Sequence, residues 1–247
     1  MQNPKISVVT VTFNAGEFIE QTILSVINQT YENIEFIIVD GLSSDNTLEI
    51  IKKYREKISV LISEKDFGIY DAMNKGIRIA SGDFIYFLNA GDTLYSNETL
   101  SMIFKTHTDG DVYYGRTAIL NSDNTLRKIT QIPNNLNYRS FAYGMPVSHQ
   151  SLIFKKNICD YYDLSYKFVS DQDFIISSMK KAKKIYNTDL IVSNYRLGGF
   201  SDNNFIGCWK DKFEIVKKHF GYPTLALNRF LFIRDYLKRF VRILFFS

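Results

Sequence analysis

The sequence predicts an α/β fold in which a mostly parallel central sheet is flanked by helices. The first observation behind this prediction is that short apolar runs alternate with segments of helical periodicity over the first hundred residues. The second is the composition, because 45% hydrophobic and 15% aromatic residues in a chain of 247 can supply a sizeable core.

The first half reads as four strands separated by three helices. Strands are predicted at "ISVVTVTF", "IEFIIVD", "ISVLIS" and "FIYFL", and helices at 17–28, after the loop "GLSSDNT", and at 69–80. Asn46 and Glu49 have the spacing of a capping box at the start of the second helix. This βαβαβαβ order implies parallel strands joined by right-handed crossovers.

The pattern changes at about residue 105. "DVYYGRTAIL" and "LRKITQI" read as a hairpin, followed by a strand at "QSLIFKK", a helix from about Asp173 to Lys181 and the segment "KIYNTDLIVSNYR". No linker, repeat or low-complexity tract separates the two halves. We therefore expect one domain over 1–205, with halves 1–105 and 106–205, and a C-terminal helical segment over 206–247.

Charge and cysteine usage exclude several classes of protein. The formal net charge of +4 is concentrated in 229–242, where five basic residues accompany one acidic residue, which argues against a nucleic-acid surface on the rest of the chain. Cys159 and Cys208 are too few and too far apart for a disulfide framework or a zinc cluster, which favours a reducing, cytoplasmic compartment. We predict neither a signal peptide nor a membrane span of about 18 apolar residues.

Polar residues lie at the ends of three of the predicted strands. They are Thr12 and Asn14, Asp40, and Asn89 and Asp92. Ligands bind beyond the carboxyl ends of strands in open α/β sheets, so these residues mark one edge as a site, although "NAGD" alone is equally consistent with a surface turn. Neither common glycine-rich phosphate loop is present, so acidic residues and a divalent cation would have to hold a nucleotide.

Six stretches occur in a recognisable order between about residues 5 and 202. They are "ISVVTVTFN", "IIVDGLSSDNTLEII", "GIYDAMNKGIRIASGDFIYFLNAGD", "HQSLIF", "SDQDFI" and "GGFSD". Together they resemble the family 2 glycosyltransferases, inverting enzymes of the GT-A fold, in the branch that transfers sugars in bacterial surface polysaccharide assembly. The resemblance implies a hexosyl- or N-acetylhexosaminyltransferase with a UDP-linked donor and a saccharide or polyprenyl-diphosphate-linked saccharide acceptor.

The resemblance also implies which residues bind the donor. The positions that match the binding site for the base and ribose are Thr12, Phe13, Asn14 and Asp40, and Asp66 and Asp71 match the segment before the metal motif. Asp40 can instead belong to a helix-entry turn. Asp71 can instead pair with Lys75, four residues further on.

A metal site is implied at Asn89-Ala90-Gly91-Asp92, where the family usually shows Asp-x-Asp. Only the last carboxylate is present, so Asp92 is expected to hold Mn²⁺ or Mg²⁺ together with the donor diphosphate. Asn89 would add a hydrogen bond but no charge. Ser201, in the loop "LGGFSD", would contact a phosphate, unless this loop is an ordinary connection.

The resemblance places the catalytic base at Asp171, in "SDQDF", because the attacking acceptor hydroxyl must lose a proton. Asp173 is the second candidate, and the alternative is that Asp171 only caps a helix that begins at Asp173. His149 and Gln150 match a pair on the acceptor side, although His149 can equally be a hydrogen-bonded structural residue.

The C-terminal segment reads as a basic amphipathic helix over 229–247. It either lies on an anionic membrane, at the cytoplasmic face of the inner membrane, or packs on the enzyme body or on a second copy in a homodimer. Two other functions are considered. A sugar nucleotidyltransferase would need a basic, glycine-rich loop that "TFNAGEF" lacks, and a donor-binding subunit without catalysis is suggested by the reduced "NAGD".

Overall fold

In the computed structural model, which describes residues 3–197 and 204–246, helices cover both faces of one mixed sheet. The strands are β1 Ile6–Thr12, β2 Ile34–Asp40, β3 Val60–Ser63, β4 Phe84–Phe87, β5 Thr93–Leu94, β6 Val112–Leu120, β7 Leu126–Ile129, β8 Leu152–Lys155 and β9 Ile185–Arg196. The α-helices are α1 Ile19–Ile27, α2 Thr47–Lys53, α3 Ile69–Ile79, α4 Thr99–Thr106, α5 Ser170–Lys181 and α6 Phe205–Phe246.

The predicted α/β architecture is confirmed. β1 pairs in parallel with β2 and β4, and β2 with β3, as the βαβαβαβ order requires. The strand order is β3-β2-β1-β4-β8-β6-β9-β5, with β7 paired to β6 as the predicted hairpin. Antiparallel β8 joins the two halves between β4 and β6.

Hydrophobic cores lie on both faces of the sheet because successive side chains of a strand point in opposite directions. Val9 and Val11 of β1 join the core under α3 and α5. Ile6 and Val8 join the core under α1, α2 and α4. All seven residues of β1 are buried, as expected for a parallel strand covered on both sides, and each large apolar side chain contributes about 1.5–3 kcal/mol.

Two local predictions are wrong. Helix α5 begins at Ser170 with Val169 as its N-cap, so Asp171 lies in the first turn and does not cap a helix from Asp173. The Asn46 side chain forms no capping hydrogen bond. Asp45 takes its place, because its Oδ1 accepts from the backbone nitrogen of Thr47 at 3.0 Å, a local bond that competes with the capping box.

Helix α6 is broken at Gly221, whose φ of 77° lies in the left-handed region that favours glycine. The break separates a first arm, 205–220, from a second arm, 222–246. Phe232 of the second arm packs on Trp209 and Phe213 of the first arm, with ring centroids 5.5 and 5.7 Å apart, so the arms form a helical hairpin.

The helical hairpin of α6 packs on the rest of the domain. Ile215 and Val216 of the first arm are buried, and Asn228 of the second arm donates to the carbonyl of Ala142 at 3.0 Å. One side of the C-terminal segment therefore packs on the body. Within 3–197 and 204–246, no helix combines the length and the apolarity that crossing a membrane requires.

Candidate active site

A cleft of about 630 Å³ opens where several distant segments of the chain meet. It brings together five residues that the sequence predicts for the site, namely Asn89, Asp92, His149, Gln150 and Asp171. Further lining comes from the start of α3 and from the end of β9. The cleft therefore joins the first and second halves of the domain.

Asp92 is held at the cleft by a tight turn after β4. Its backbone nitrogen donates to the carbonyl of Asn89 at 3.0 Å, and Gly91 between them has a φ of 99°, a conformation that needs glycine. Thr22 of α1 clamps the turn, since its hydroxyl donates to the Asp92 carbonyl at 2.8 Å and accepts from the Gly91 nitrogen at 3.0 Å. The "NAGD" turn therefore directs the Asp92 carboxylate into the cleft.

The Asp92 carboxylate is 6% exposed. Burial raises its pKa to about 7, against the lowering effect of hydrogen bonds from Gln150 and from the Arg196 backbone. The Gln150 amide donates to Asp92 Oδ2 at 2.9 Å. Gln150, which the sequence places on the acceptor side, is thus directly bonded to the candidate metal ligand.

The donor set available to a metal consists of oxygens. In the described structure, Asn89 Oδ1 is buried without a hydrogen-bond partner, and it lines the same cleft as Asp92. No group of three His, Cys, Asp or Glu side chains in 3–197 and 204–246 is placed to hold a metal ion. Asp92 with Asn89 can hold a hard cation only if other ligands, such as phosphate oxygens, complete its coordination.

Asp171 lines the cleft from the first turn of α5. Its Oδ1 accepts from the backbone nitrogen of Gln172 at 3.0 Å and from the Tyr70 hydroxyl at 3.4 Å. Burial raises its pKa to about 6, which hydrogen bonds from Gln172 and Tyr70 only partly offset. A carboxylate with this pKa is ionised at neutral pH and is basic enough to take a proton.

Asp173, the second candidate base, faces α6 and does not line the cleft. Its Oδ1 accepts from His219 Nε2 at 2.7 Å and lies 3.0 Å from Lys218 Nζ. Although Asp173 is buried, these bonds lower its pKa. The structure thus places one carboxylate of "SDQD" in the cleft and the other in an ion pair with the helical hairpin.

His149 is buried and lies against the aromatic core. Its ring stacks on Phe87 at a centroid distance of 5.6 Å, and Nε2 lies 3.3 Å from the Tyr162 hydroxyl. Burial lowers its pKa to about 4, so the ring is neutral at pH 7. The structural interpretation of His149 accounts for these contacts, while one edge of the residue still lines the cleft.

The residues predicted to bind base and ribose lie at the ends of β1 and β2, where Thr12 pairs with Asp40. Asp40 is fully buried, and its Oδ2 accepts from the Ser63 hydroxyl at 2.7 Å and the Ser43 nitrogen at 3.0 Å. Asn14, with a φ of 48°, accepts at Oδ1 from the Ser44 nitrogen at 2.9 Å. Asp40 and Asn14 therefore shape the loop that follows β2.

An open surface lies beside this loop. Phe13 is 64% exposed, and a Cβ atom on Gly41 would stand 2.6 Å from Asp66 Oδ2 and 3.3 Å from the Phe13 ring. Phe13, Gly41 and Asp66 are thus neighbours around a space that only glycine leaves open. Thr12 Oγ1 is buried without a partner within the described structure.

The last two predicted site residues are Asp71 and Ser201. Asp71 lies 4.0 Å from Lys75, which is closer to Glu64 at 2.9 Å, and Asp71 also accepts from the Phe67 nitrogen at 3.1 Å. Ser201 lies outside the described residues.

Sequence reasoning missed Arg196 and Phe18. Both line the cleft, and the Arg196 guanidinium lies 4.4 Å from the centroid of the Phe18 ring while donating to the Ser122 carbonyl at 2.6 Å. The available signal was that Arg196 ends a strand, the same argument that identified Asp40 and Asp92. The cation places positive charge in a cleft that otherwise presents carboxylates.

The fold and the cleft define an α/β protein with an acidic ligand site beside the ends of its strands. Within that class, residues 7–162 match the family described as Glycosyl transferase family 2. Since the match covers more than half of the 247 residues, the chain belongs to this family. Membership favours the glycosyltransferase interpretation over the nucleotidyltransferase.

Several curated proteins are similar to the chain over most of its length. The PGL/p-HBAD biosynthesis glycosyltransferase Rv2957 of Mycobacterium tuberculosis is 28% identical over 224 residues, 82% of this chain and 81% of that protein. The Escherichia coli UDP-Glc:alpha-D-GlcNAc-diphosphoundecaprenol beta-1,3-glucosyltransferase WfgD is 28% identical over 214 residues, 83% of each chain. The uncharacterized M. tuberculosis glycosyltransferase Rv1514c is 32% identical over 183 residues, 70% of this chain and 68% of that protein.

Solved structures share the fold. S. aureus TarS 1–349 in complex with UDP superposes with a TM-score of 0.68 at 20% identity, over 87% of this chain and 65% of that one. The mannosyltransferase PcManGT from Pyrobaculum calidifontis, in complex with GDP-Man and Mn²⁺, has a TM-score of 0.66 at 16% identity, over 92% and 68%. At these identities the likeness concerns the fold alone, and it confirms the predicted GT-A fold.

Proposed function

We propose that this family member is an inverting glycosyltransferase of bacterial surface polysaccharide assembly. It would move a hexosyl or N-acetylhexosaminyl group from UDP to a saccharide or lipid-linked saccharide. The observation that carries the proposal is that two carboxylates with different partners, Asp92 and Asp171, line one cleft. WfgD, named for a UDP-glucose donor and a diphosphoundecaprenol-linked acceptor, and TarS, crystallised with UDP-GlcNAc, support the substrate classes.

The first half, 1–105, binds the donor in this proposal. The exposed Phe13 ring offers an aromatic face to the base, and the orphaned Thr12 hydroxyl and Asp66 offer polar contacts to the nucleoside. Asp40 and Asn14 act by holding the loop after β2 in place. Arg196, which lines the cleft and whose backbone bonds to the Asp92 carboxylate, offers positive charge to the diphosphate.

The divalent ion implied by the family would be held by Asp92 and Asn89. Their oxygens suit Mn²⁺ or Mg²⁺. Asn89 Oδ1 has no hydrogen-bond partner in the described structure, so this oxygen can serve as a metal ligand. When bound, such an ion neutralises charge on the leaving diphosphate. The sparse donor set predicts weak metal binding without nucleotide and tighter binding with it.

The second half, 106–205, binds the acceptor and supplies the base. Asp171 takes the proton from the acceptor hydroxyl as that oxygen attacks the anomeric carbon, and the bond to the diphosphate breaks on the opposite side. Tyr70 and the Gln172 nitrogen orient the carboxylate for this transfer. Attack opposite to the leaving group inverts the anomeric configuration.

The test is the product linkage. Full-length protein is incubated with α-linked UDP-hexoses and UDP-N-acetylhexosamines, Mn²⁺ and saccharide acceptors, and the anomeric coupling of the product is measured by NMR. A β-linked product supports the proposal. A retained α-linkage, or binding of UDP without transfer from any donor, contradicts it.

A second candidate function is a donor-binding subunit without catalysis, which Asn89 in place of a carboxylate favours. Such a protein would be stabilised by UDP but would release no UDP from any UDP-sugar, with or without acceptor. Slow hydrolysis of a donor in the absence of acceptor would exclude it.

A lipid-linked acceptor resides in a membrane. We therefore infer a peripheral position on the cytoplasmic face of the inner membrane, with a homodimer as the competing use of the C-terminal helix.

A further inference from the structure

The second arm of α6 has a buried side and an exposed side. Leu225 and Asn228 on the inner side are 5% and 0% exposed. The opposite side, called the outer face, presents large apolar side chains that are between 45% and 69% exposed: Tyr222, Leu227, Phe230, Ile233 and Tyr236. From Leu227 to Tyr236 they follow one another every three residues, so they wind across about half of the helix circumference, with Phe230 and Ile233 at the centre.

The charge of this arm is mostly positive. Arg229 and Arg234 are exposed beside the outer face. From 222 to 247 the sequence contains five basic residues and one acidic residue, Asp235. An exposed apolar stripe bordered by cations is the pattern of a helix that lies in the interface of a membrane.

We propose that the outer face docks the protein on the anionic surface of a lipid bilayer, with Phe230 and Ile233 inserted among the headgroups. The proposal rests on the proposed function only for the lipid-linked acceptor that such docking would serve. Two of the roles predicted for the C-terminal helix are then combined in one helix. Its inner side packs on the body, and its outer face binds lipid.

A second copy of the chain fits this face less well. A twofold interface would place the same stripe on both subunits and bring their arginines together. From 222 to 247 the sequence contains one carboxylate, Asp235, against five cations, so the arginines of two copies would outnumber the acidic residues that face them. Like charges disfavour such a contact, whereas anionic lipid complements it.

The inner side of the helical hairpin contacts a segment that leads to the cleft. Asn228 donates to the Ala142 carbonyl at 3.0 Å, and Lys212 donates to the Tyr143 carbonyl at 3.0 Å. This segment continues to Met145, which lines the cleft and is 38% exposed. Docking through the second arm would therefore bring a cleft-lining segment close to the bilayer that holds the acceptor.

The experiment is sedimentation of full-length protein with vesicles that are either purely zwitterionic or contain anionic phospholipid. We expect binding to the anionic vesicles that weakens with added salt. The variant Phe230→Ser/Ile233→Ser should lose binding by at least about tenfold. The variant Arg229→Gln/Arg234→Gln should lose about 30-fold, at the usual contribution of each basic residue near an anionic surface.

A matched control removes exposed apolar side chains elsewhere. Leu126 on β7 and Met102 on α4 are 58% and 46% exposed, and Leu126→Ser/Met102→Ser should bind vesicles like the wild type. All substituted side chains are exposed, so the temperature of unfolding should change little. If Phe230→Ser/Ile233→Ser does not fold, vesicle binding of Arg229→Gln/Arg234→Gln tests the proposal instead.

Equal binding to both kinds of vesicle, no binding, or unchanged binding of the outer-face variants would overturn the proposal. So would a wild-type dimer in light scattering that Phe230→Ser/Ile233→Ser converts to a monomer without any effect on lipid binding. UDP-induced stabilisation and transfer to a soluble acceptor are measured on the same variants. Vesicle binding without any transfer contradicts the proposed function alone, and transfer without vesicle binding contradicts the docking alone.

Discussion

Replacing Asp171 with Asn tests the proposed base with little change in structure. Asp171 Oδ1 accepts from the Gln172 nitrogen at 3.0 Å and from Tyr70 at 3.4 Å, and an amide oxygen can accept the same bonds. The amide cannot take a proton from the acceptor hydroxyl. We therefore expect turnover to fall by about 10²–10⁴-fold while the affinity for UDP stays near the wild-type value.

The pH dependence of the wild type follows from the same residue. Because burial raises the pKa of Asp171 to about 6, kcat/KM should rise with pH below 6 and level off above it. The pH dependence of the stability contributed by Asp171 has the opposite sign. The unfolded pKa is about 3.9, so the contribution of Asp171 to stability is greatest below that pH and declines by on the order of 2–3 kcal/mol as the pH rises through 6. Asp171→Asn should therefore be more stabilising, relative to wild type, at pH 8 than at pH 4.

Asp173→Asn is the matched control. Asp173 is buried and bonded to His219 and Lys218, so losing its charge should lower stability by about 1.5–3 kcal/mol, the usual contribution of hydrogen bonds to a charged group, without removing the base. The assays are turnover, UDP affinity by calorimetry and thermal unfolding at pH 4 and pH 8. Near-normal turnover of Asp171→Asn would refute the assignment, and a loss of turnover in folded Asp173→Asn would move the base to Asp173.

Two other substitutions test the metal side of the cleft. UDP should stabilise Asp92→Ala equally in Mn²⁺ and in EDTA, because the ion is held mainly by this carboxylate and the diphosphate. If UDP stabilises the wild type equally in Mn²⁺ and in EDTA, a metal role is contradicted. Gln150→Leu removes the donor 2.9 Å from Asp92 Oδ2. A hydrogen bond to a charged group contributes about 1.5–3 kcal/mol, so Mn²⁺-dependent UDP binding should weaken by about 10- to 100-fold. The affinity is measured by calorimetry. An unchanged affinity would show that Gln150 contacts the acceptor only.

The order of helices and strands could be predicted from the sequence because it depends on local patterns. The four parallel strands, the hairpin of β6 and β7, and the position of Asp92 in a glycine-containing segment after β4 were predicted in this way. Strand ends also indicated which edge of the sheet carries the candidate site. The start of α5 was missed by three residues, because both Ser170 and Asp173 are plausible first-turn residues and the N-cap is Val169.

Amino-acid sequence alone therefore determined the α/β fold, the resemblance to family 2 and the presence of Asp92 and Asp171 at candidate positions. Only the tertiary structure decided which carboxylate of "SDQD" faces the cleft, since Asp173 meets Lys218, 45 residues away. It likewise decided that Gln150 bonds to Asp92 across 58 residues, and that α6 has one packed side and one exposed side. The physical reason is that periodicity reflects the geometry of a single helix or strand, whereas these contacts depend on how β8 inserts beside β4 and how the chain reverses at Gly221.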